Sequence, residues 1–205
     1  MKQILLFILT LTTVVSTAQS AYVQAENQRR LDKDTTYMDT TYTPLHFDSL
    51  PGFKGLNYFP ANEKYVVQVK VKEKLGEVFK MPTSSGKIKE FRQYAVLKFE
   101  LNGKKFKLPV YQNMSLLKNP LHRNHLFIPF TDLTNSNETY GGGRYIEVEI
   151  PKKGELLTLD FNQAFNPLCH YRTGWNCPIP PKENSLDVWK KALTNVTPAV
   201  EVRSR

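Results

Sequence analysis

The stretch AVLKFELNGKKFKLPVY, residues 95–111, constrains the fold more than any other part of the chain. Asn102-Gly103 has the composition of a two-residue type I′ turn, which needs positive φ at both central positions. Such a turn sets Leu101 opposite Lys104, and the other pairs follow: Phe99 with Phe106, Leu97 with Leu108, Ala95 with Val110, Glu100 with Lys105. One face is then apolar throughout, while Lys98, Glu100, Lys105 and Lys107 occupy the other. An antiparallel sheet packed on one side requires that division. Alternation with period two recurs at Tyr65, Val67, Val69 and Val71 against Gln68, Lys70 and Lys72, and residues 77–81 read as a further short strand. The expected fold class is all-β, mainly antiparallel: a single-domain barrel or sandwich with a short N-terminal helical arm.

GRYIEVEIPKKGELLTLDFN, residues 143–162, reads as a second hairpin about a turn at 151–154. This register puts Ile146 opposite Leu159, Val148 opposite Leu157 and Arg144 opposite Phe161 on the core face. Tyr145 then meets Asp160, Glu147 meets Thr158 and Gly143 meets Asn162 on the other. The run TYGGGRY, residues 139–145, enters at the polar end of this hairpin. Three glycines allow positive φ, or close approach by another backbone or a ligand, and their amides with Arg144 could receive an anion. The alternative is a bulge or loop that only turns the chain into the strand. A nucleotide loop is excluded, because a strand and not a helix follows the glycines.

The chain opens with Met1 and Lys2, an apolar run from Ile4 to Val15, and small residues at Ser16 and Ala18. That is the pattern of a secretory signal peptide over residues 1–18. The run falls short of the roughly 20 residues that span a bilayer, and no lipid-accepting cysteine follows, so no membrane anchor is expected. The organisation that follows is a signal peptide at 1–18, an N-terminal arm at 19–45 with helical character from 22 to 39, a β-rich domain at 46–193 and a tail at 194–205. The expected location is periplasmic or extracellular. Removing the signal leaves 187 of 205 residues, enough for one domain with a real core.

The net charge of +9 falls to +8 without the signal segment, and residues 63–107 hold 12 Lys/Arg against 5 Asp/Glu. Such a patch can attract polyanions, but no aromatic residue stands among Lys98, Lys105 and Lys107 on their face of the 95–111 hairpin, so a solvated, edge-protecting lysine face is the plainer reading and no specific nucleic-acid recognition is expected. Motifs for a serine hydrolase, a zincin and a P-loop NTPase are missing from the sequence. His122 and His125 have a metal-compatible spacing, but Pro120 and the following LFIPF place them before or in a strand, and neither metal nor cofactor is expected. Glu147 and Glu149 share a strand face about 6.6 Å apart, with carboxylates that point the same way and not across a gap.

Cys169 and Cys177 are the only cysteines. Export and an even count favour a disulfide, whose nine-residue loop would stabilise the fold by about 2–3 kcal/mol. Free packed thiols and a metal site with His170 are the alternatives.

PFTDLTNSNETYGGGRYIEVEIP at 129–151, LDFNQAFNPLCHYRTGWNCPIPPKEN at 159–184 and the earlier FKGLNYFP at 53–60 resemble, in this order, the bacterial domain-of-unknown-function 1684 family. The resemblance implies a compact, β-rich and frequently exported domain, and it carries no established activity. DVWKKALTNV at 187–196 departs from the pattern, where a short strand is expected.

These readings converge on one candidate site: Asp132, Glu138, Tyr140, Gly141, Gly142, Gly143, Arg144, Tyr145, Glu147, Asp160, Asn162 and Asn166, with Glu183 and Asn184 closing one side. Three functions are compatible with it. One is a binding module for a small polar or anionic ligand or glycan, with Arg144 and the glycine amides on the anion and Tyr140 or Tyr145 stacked on the ligand. Another is a cofactor-free hydrolase or isomerase with Glu138 or Asp160 as general base. In the last, the polar residues only satisfy one another and order the loops.

Overall fold

The computed structural model describes residues 21–187 and the backbone of 196–198. The proposed signal peptide and the segment around Trp189 lie outside the described residues. Among the described residues, ten strands and one α-helix, with short 3-10 turns between them, organise the fold: α1 (21–38), β1 (Leu56–Tyr58), β2 (Val66–Val69), β3 (Val78–Pro82), β4 (Ile88–Leu101), β5 (Lys104–Asn113), β6 (His125–Asp132), β7 (Arg144–Glu149), β8 (Leu157–Asp160), β9 (Ser185–Leu186) and β10 (Val196–Pro198). The main sheet runs β3-β4-β5-β6-β7 and is antiparallel, with β9 added in parallel to β6. It is an open path and not a closed barrel. Separate antiparallel pairs form between β2 and β8 and between β1 and β10, so residues 196–198 are a strand and not tail.

The β4–β5 hairpin has the register that its turn dictates, from Leu101↔Lys104 through Phe99↔Phe106 and Leu97↔Leu108 to Ala95↔Val110. Asn102 and Gly103 have φ of 52° and 76°, as the type I′ turn requires. A bulge between Gln93 and Ala95 then shifts the pairing. Its consequence is a change of face within one strand. Ala95, Leu97 and Phe99 point into the main core, whereas Phe91 belongs to a second cluster with Met81, Tyr111, Phe127 and Tyr145.

The second hairpin does not form. β7 pairs with β6, setting Arg144 opposite Phe130, Tyr145 opposite Pro129, Ile146 opposite Ile128 and Val148 opposite Leu126. β8 pairs with β2, setting Asp160 opposite Val66 and Leu159 opposite Val67. The turn at 151–156 therefore carries the chain from one sheet to the other. Ile146, Leu157 and Leu159 still point into one core, because alternation decides which face a residue takes without naming the strand beside it. Tyr145 and Asp160 are consequently on different sheets, and Gly143, in the loop before β7, does not pair with Asn162, in the 3-10 turn after β8.

β2 and β8 cover one face of the main sheet, and Tyr65, Val69, Leu157 and Leu159 pack there on Leu97, Leu108, Leu126, Ile128 and Ile146. Helix α1 docks mostly through polar groups, which is why its sequence lacks an apolar stripe. Arg30 donates to the Phe59 carbonyl at 2.9 Å and its guanidinium lies 4.7 Å from the Tyr58 ring centre. Glu26 is buried between Arg29 and Arg30, Asp34 accepts from the Leu56 amide at 3.0 Å, and Tyr37 closes a small cluster with Leu45, Phe53, Leu56 and Tyr171.

Candidate functional site

Internal packing explains the glycines at 141–143. A Cβ on Gly142 would lie 2.4 Å from the Tyr140 ring, and one on Gly141 would lie 2.6 Å from Ser136 Oγ. Gly143 has φ of +87°, and a Cβ there would meet the Phe130 carbonyl and Pro180 Cγ, each at 2.7 Å. Bare backbone is needed because β6, Pro180 and the Tyr140 ring already occupy the space.

Arg144 faces inward, as alternation predicts, but it is not at a mouth. The side chain is fully buried, pairs through Nη2 with the Asp132 carboxylate and lies 5.1 Å from the Phe130 ring centre. Desolvation lowers its pKa, and Asp132 opposes that shift; the guanidinium stays charged, as arginine does in proteins. Asp132 Oδ1 also accepts from the Thr134 amide at 2.9 Å, and Thr134 Oγ1 sits 2.9 Å from Thr139 Oγ1. Asn135 donates to the Tyr140 carbonyl at 2.6 Å. This expected anion cradle is thus an ion pair wrapped in a hydrogen-bonded turn, and the role assigned to Arg144 at the glycines is corrected accordingly. Glu138 is half-buried on the same turn, its amide donating to the Thr134 carbonyl.

Asp160 and Asn162 belong to a different network. The Asp160 carboxylate accepts from Tyr22 Oη at 2.9 Å, from the Asn162 amide and Nδ2 at 2.8 Å each, and from Gln163 Nε2 at 3.2 Å. Asn162 in turn clasps the backbone of Asn62, donating to its carbonyl at 3.0 Å and accepting from its amide at 2.9 Å. This cluster fastens β8 and helix α1 to the loop before β2. Asn184 is a staple elsewhere: buried, it donates to the Pro109 and Pro129 carbonyls at 2.9 and 2.7 Å and accepts from Tyr111 Oη at 2.8 Å. Those prolines bring no amide to the β5–β6 ladder, and the Asn184 side chain bridges the two strands there. Glu183 is exposed and accepts from Tyr111 Oη at 3.3 Å, and Asn166 is fully buried.

Of the predicted site residues, Tyr145 and Glu147 line a cleft of about 1090 Å³ on the second face of the main sheet. Its floor is aromatic. Phe91 stacks on Phe127 with ring centres 5.4 Å apart, Phe127 meets Tyr145 edge-on at 4.7 Å, and Tyr145 meets Phe165 edge-on at 5.9 Å. One wall is Asn113 to Leu116 with Lys118, and the other is Trp175 to Pro178 at the end of the Cys169–Cys177 loop. The two cysteines are disulfide-bonded, with Cα atoms 6.3 Å apart. Tyr145 Oη donates to the Pro178 carbonyl, fixing this wall to the floor.

The polar groups of the cleft are unequally matched. Glu147 lies 3.6 Å from His125 Nε2, and Glu90 is directly across the ladder from Lys80. Lys89 and Lys118 have no carboxylate partner among the described residues. Trp175 lines the cleft with a buried Nε1–H that has no hydrogen-bond partner among the described residues. Lys33 of helix α1 stands 4.4 Å from the Phe165 ring centre, and burial first, then the neighbouring Arg29, push its pKa down to about 8. Tyr140 packs on His170 at 4.8 Å, outside the cleft lining, and burial pushes the imidazole down to about 4.

Sequence reasoning missed Phe91, Lys89, Lys118, Phe127, Phe165 and Trp175. One signal was present: LFIPF at 126–130 has no polar residue on either face, so β6 must be covered or functional on both.

A search of curated proteins finds no match. Among solved structures, the solution structure of the uncharacterized protein from gene locus rrnAC0354 of Haloarcula marismortui is similar, with a TM-score of 0.63 and 28% identity over 87% of this chain and 95% of that one. The family model described as "Protein of unknown function (DUF1684)" matches residues 51–192, well over half of the chain, and the protein belongs to that family.

Proposed function

We propose that the protein is a binding module whose site is the aromatic-floored cleft, and that its ligand is small, with an anionic group and a flat or apolar body. The observation that carries this reading is the cleft above packed aromatic rings, beside two lysines without a carboxylate partner among the described residues. Phe91, Phe127 and Tyr145, buried against one another, and the half-buried Phe165 make the bottom of the cleft apolar, while Lys89 and Lys118 offer charge. Concave, mostly apolar sites with a few polar groups are where small ligands bind. The buried Trp175 Nε1–H adds one directional donor.

The general-base reading has less behind it. Asp160 already accepts four hydrogen bonds from the protein, and Glu138 is not among the cleft residues. Export goes with the binding role, since the Cys169–Cys177 bond suits an oxidising compartment; recovered protein that begins near Gln19 would support it.

A thermal-shift screen of sugars, acidic glycans, nucleotides, aromatic carboxylates and single-chain anionic amphiphiles tests the cleft, because ligands of the folded state raise its stability. A hit is expected among compounds joining an anion to a ring or chain, and it should vanish in Lys118→Gln and weaken in Phe165→Ala. Hits confined to neutral sugars, or unaffected by both substitutions, would overturn the reading.

A further inference from the structure

One edge of the main sheet joins exposed apolar side chains to a basic field, at the lip of the cleft. The β3–β4 register puts Val78, Lys80 and Pro82 on one face of the pair, opposite Arg92, Glu90 and Ile88. Val78 is 50% exposed and Ile88 57%. The Ile179 amide donates to the Pro82 carbonyl at 2.9 Å, so Ile179, 47% exposed, lies next to the Pro82–Ile88 pair. Isolated exposed apolar residues are ordinary, but here register and hydrogen bonding bring four of them to one edge. Residues 70–92 carry seven Lys/Arg against three Glu, and Lys80 and Lys87 are exposed beside the apolar group.

We infer that this edge docks on an anionic lipid bilayer, with Val78, Pro82, Ile88 and Ile179 entering the headgroup region and the lysines facing the anionic charge. Apolar side chains amid lysines suit an interface in which one set enters the acyl boundary and the other meets phosphate. A nucleic acid or soluble polyanion has no use for the exposed aliphatic groups. Ile88, Lys80 and Lys89 also line the cleft, so the cleft opens beside this edge and takes its ligand, an anionic amphiphile, from the membrane. Docking stands on the edge alone; the source of the ligand rests also on the cleft being a binding site.

Sedimentation of the mature protein with vesicles of phosphatidylcholine, with and without phosphatidylglycerol, tests the docking. Binding is expected only with the anionic lipid and should fall with salt. Val78→Asp with Ile179→Asp should weaken it about tenfold or more, and Lys87→Gln about fivefold. Lys105→Gln with Lys107→Gln, at the tip of the β4–β5 hairpin, should leave it nearly unchanged. Absence of vesicle binding, equal losses from the hairpin lysines, or equal binding of heparin and of vesicles with no effect of Val78→Asp would each overturn the docking. A short-chain lysophosphatidylglycerol below its micellar concentration separates the two readings. The Val78→Asp, Ile179→Asp variant should keep its thermal shift, while Lys118→Gln should lose the shift and keep vesicle binding. Vesicle binding by a wild type that gives no thermal shift would leave the docking and remove the amphiphile from the cleft.

Discussion

The two faces of the main sheet are built from the same strands and do different work. One face carries aliphatic residues such as Leu97, Leu108, Leu126, Ile128 and Ile146, closed over by β2 and β8. The other carries Phe91, Tyr111, Phe127 and Tyr145, and there a cleft stays open. The bulge at Gln93 makes this possible, because it hands β4 from one face to the other midway along its length. The aliphatic face needs a second sheet to fill its volume, while the aromatic rings of the other bury one another through stacked and edge-on contacts and leave a cleft above them. The comparison says where stability and binding should reside: substitutions on the closed face should cost stability, and those at the cleft rim should cost ligand.

The sharpest test of that division is the buried ion pair at the end of the closed face. Asp132→Ala leaves the Arg144 guanidinium in the interior without its carboxylate, and the expected loss is about 3–5 kcal/mol in denaturant unfolding. A loss below about 1 kcal/mol would show that the Arg144 pocket opens to water and that the turn is less closed than the geometry implies. Leu97→Ala, at a fully buried position of the same face, should cost about 3 kcal/mol and leave ligand-induced shifts in place.

His170 gives a smaller effect with a defined sign. Its pKa is lowered from 6.5 to about 4 by burial between Tyr140 and Tyr171. As pH falls through 6.5 the unfolded chain takes up the proton first, so this group's contribution is present above pH 6.5 and is lost progressively down to about pH 4. His170→Phe should therefore flatten the acid limb of the stability profile between these values, measured against wild type. Identical acid limbs would mean that the imidazole takes up its proton over the same pH range in the folded and unfolded chain. The smallest effect on stability is expected for Lys118→Gln on the cleft rim, within about 0.5 kcal/mol of wild type. Its loss should appear instead as a missing ligand shift, and destabilisation without loss of binding would erase the distinction between the faces.

The sequence by itself determined whatever local chemistry could specify. Asn102-Gly103 permits one turn geometry, and the alternation on either side agrees with it, so the β4–β5 register was legible from the turn out to Ala95 and Val110, and the bulge beyond them was not. The inward faces of Ile146, Leu157 and Leu159 were legible too, and the cysteine pair was readable from its isolation. The polar residues around TYGGGRY could be identified, but not what they do, because Arg144 beside glycines reads alike whether it meets a ligand or an internal acid. Tertiary structure decided that matter by burying Arg144 on Asp132. It also decided which strands flank β7 and β8, since PKKG at 151–154 fixes no register as tightly as Asn-Gly does, and a strand's alternation is silent about its neighbour. The cleft was the least visible feature. Its lining comes from residues as far apart as Lys80 and Pro178, and only the bulge, the disulfide loop and the order of strands bring them around one aromatic floor.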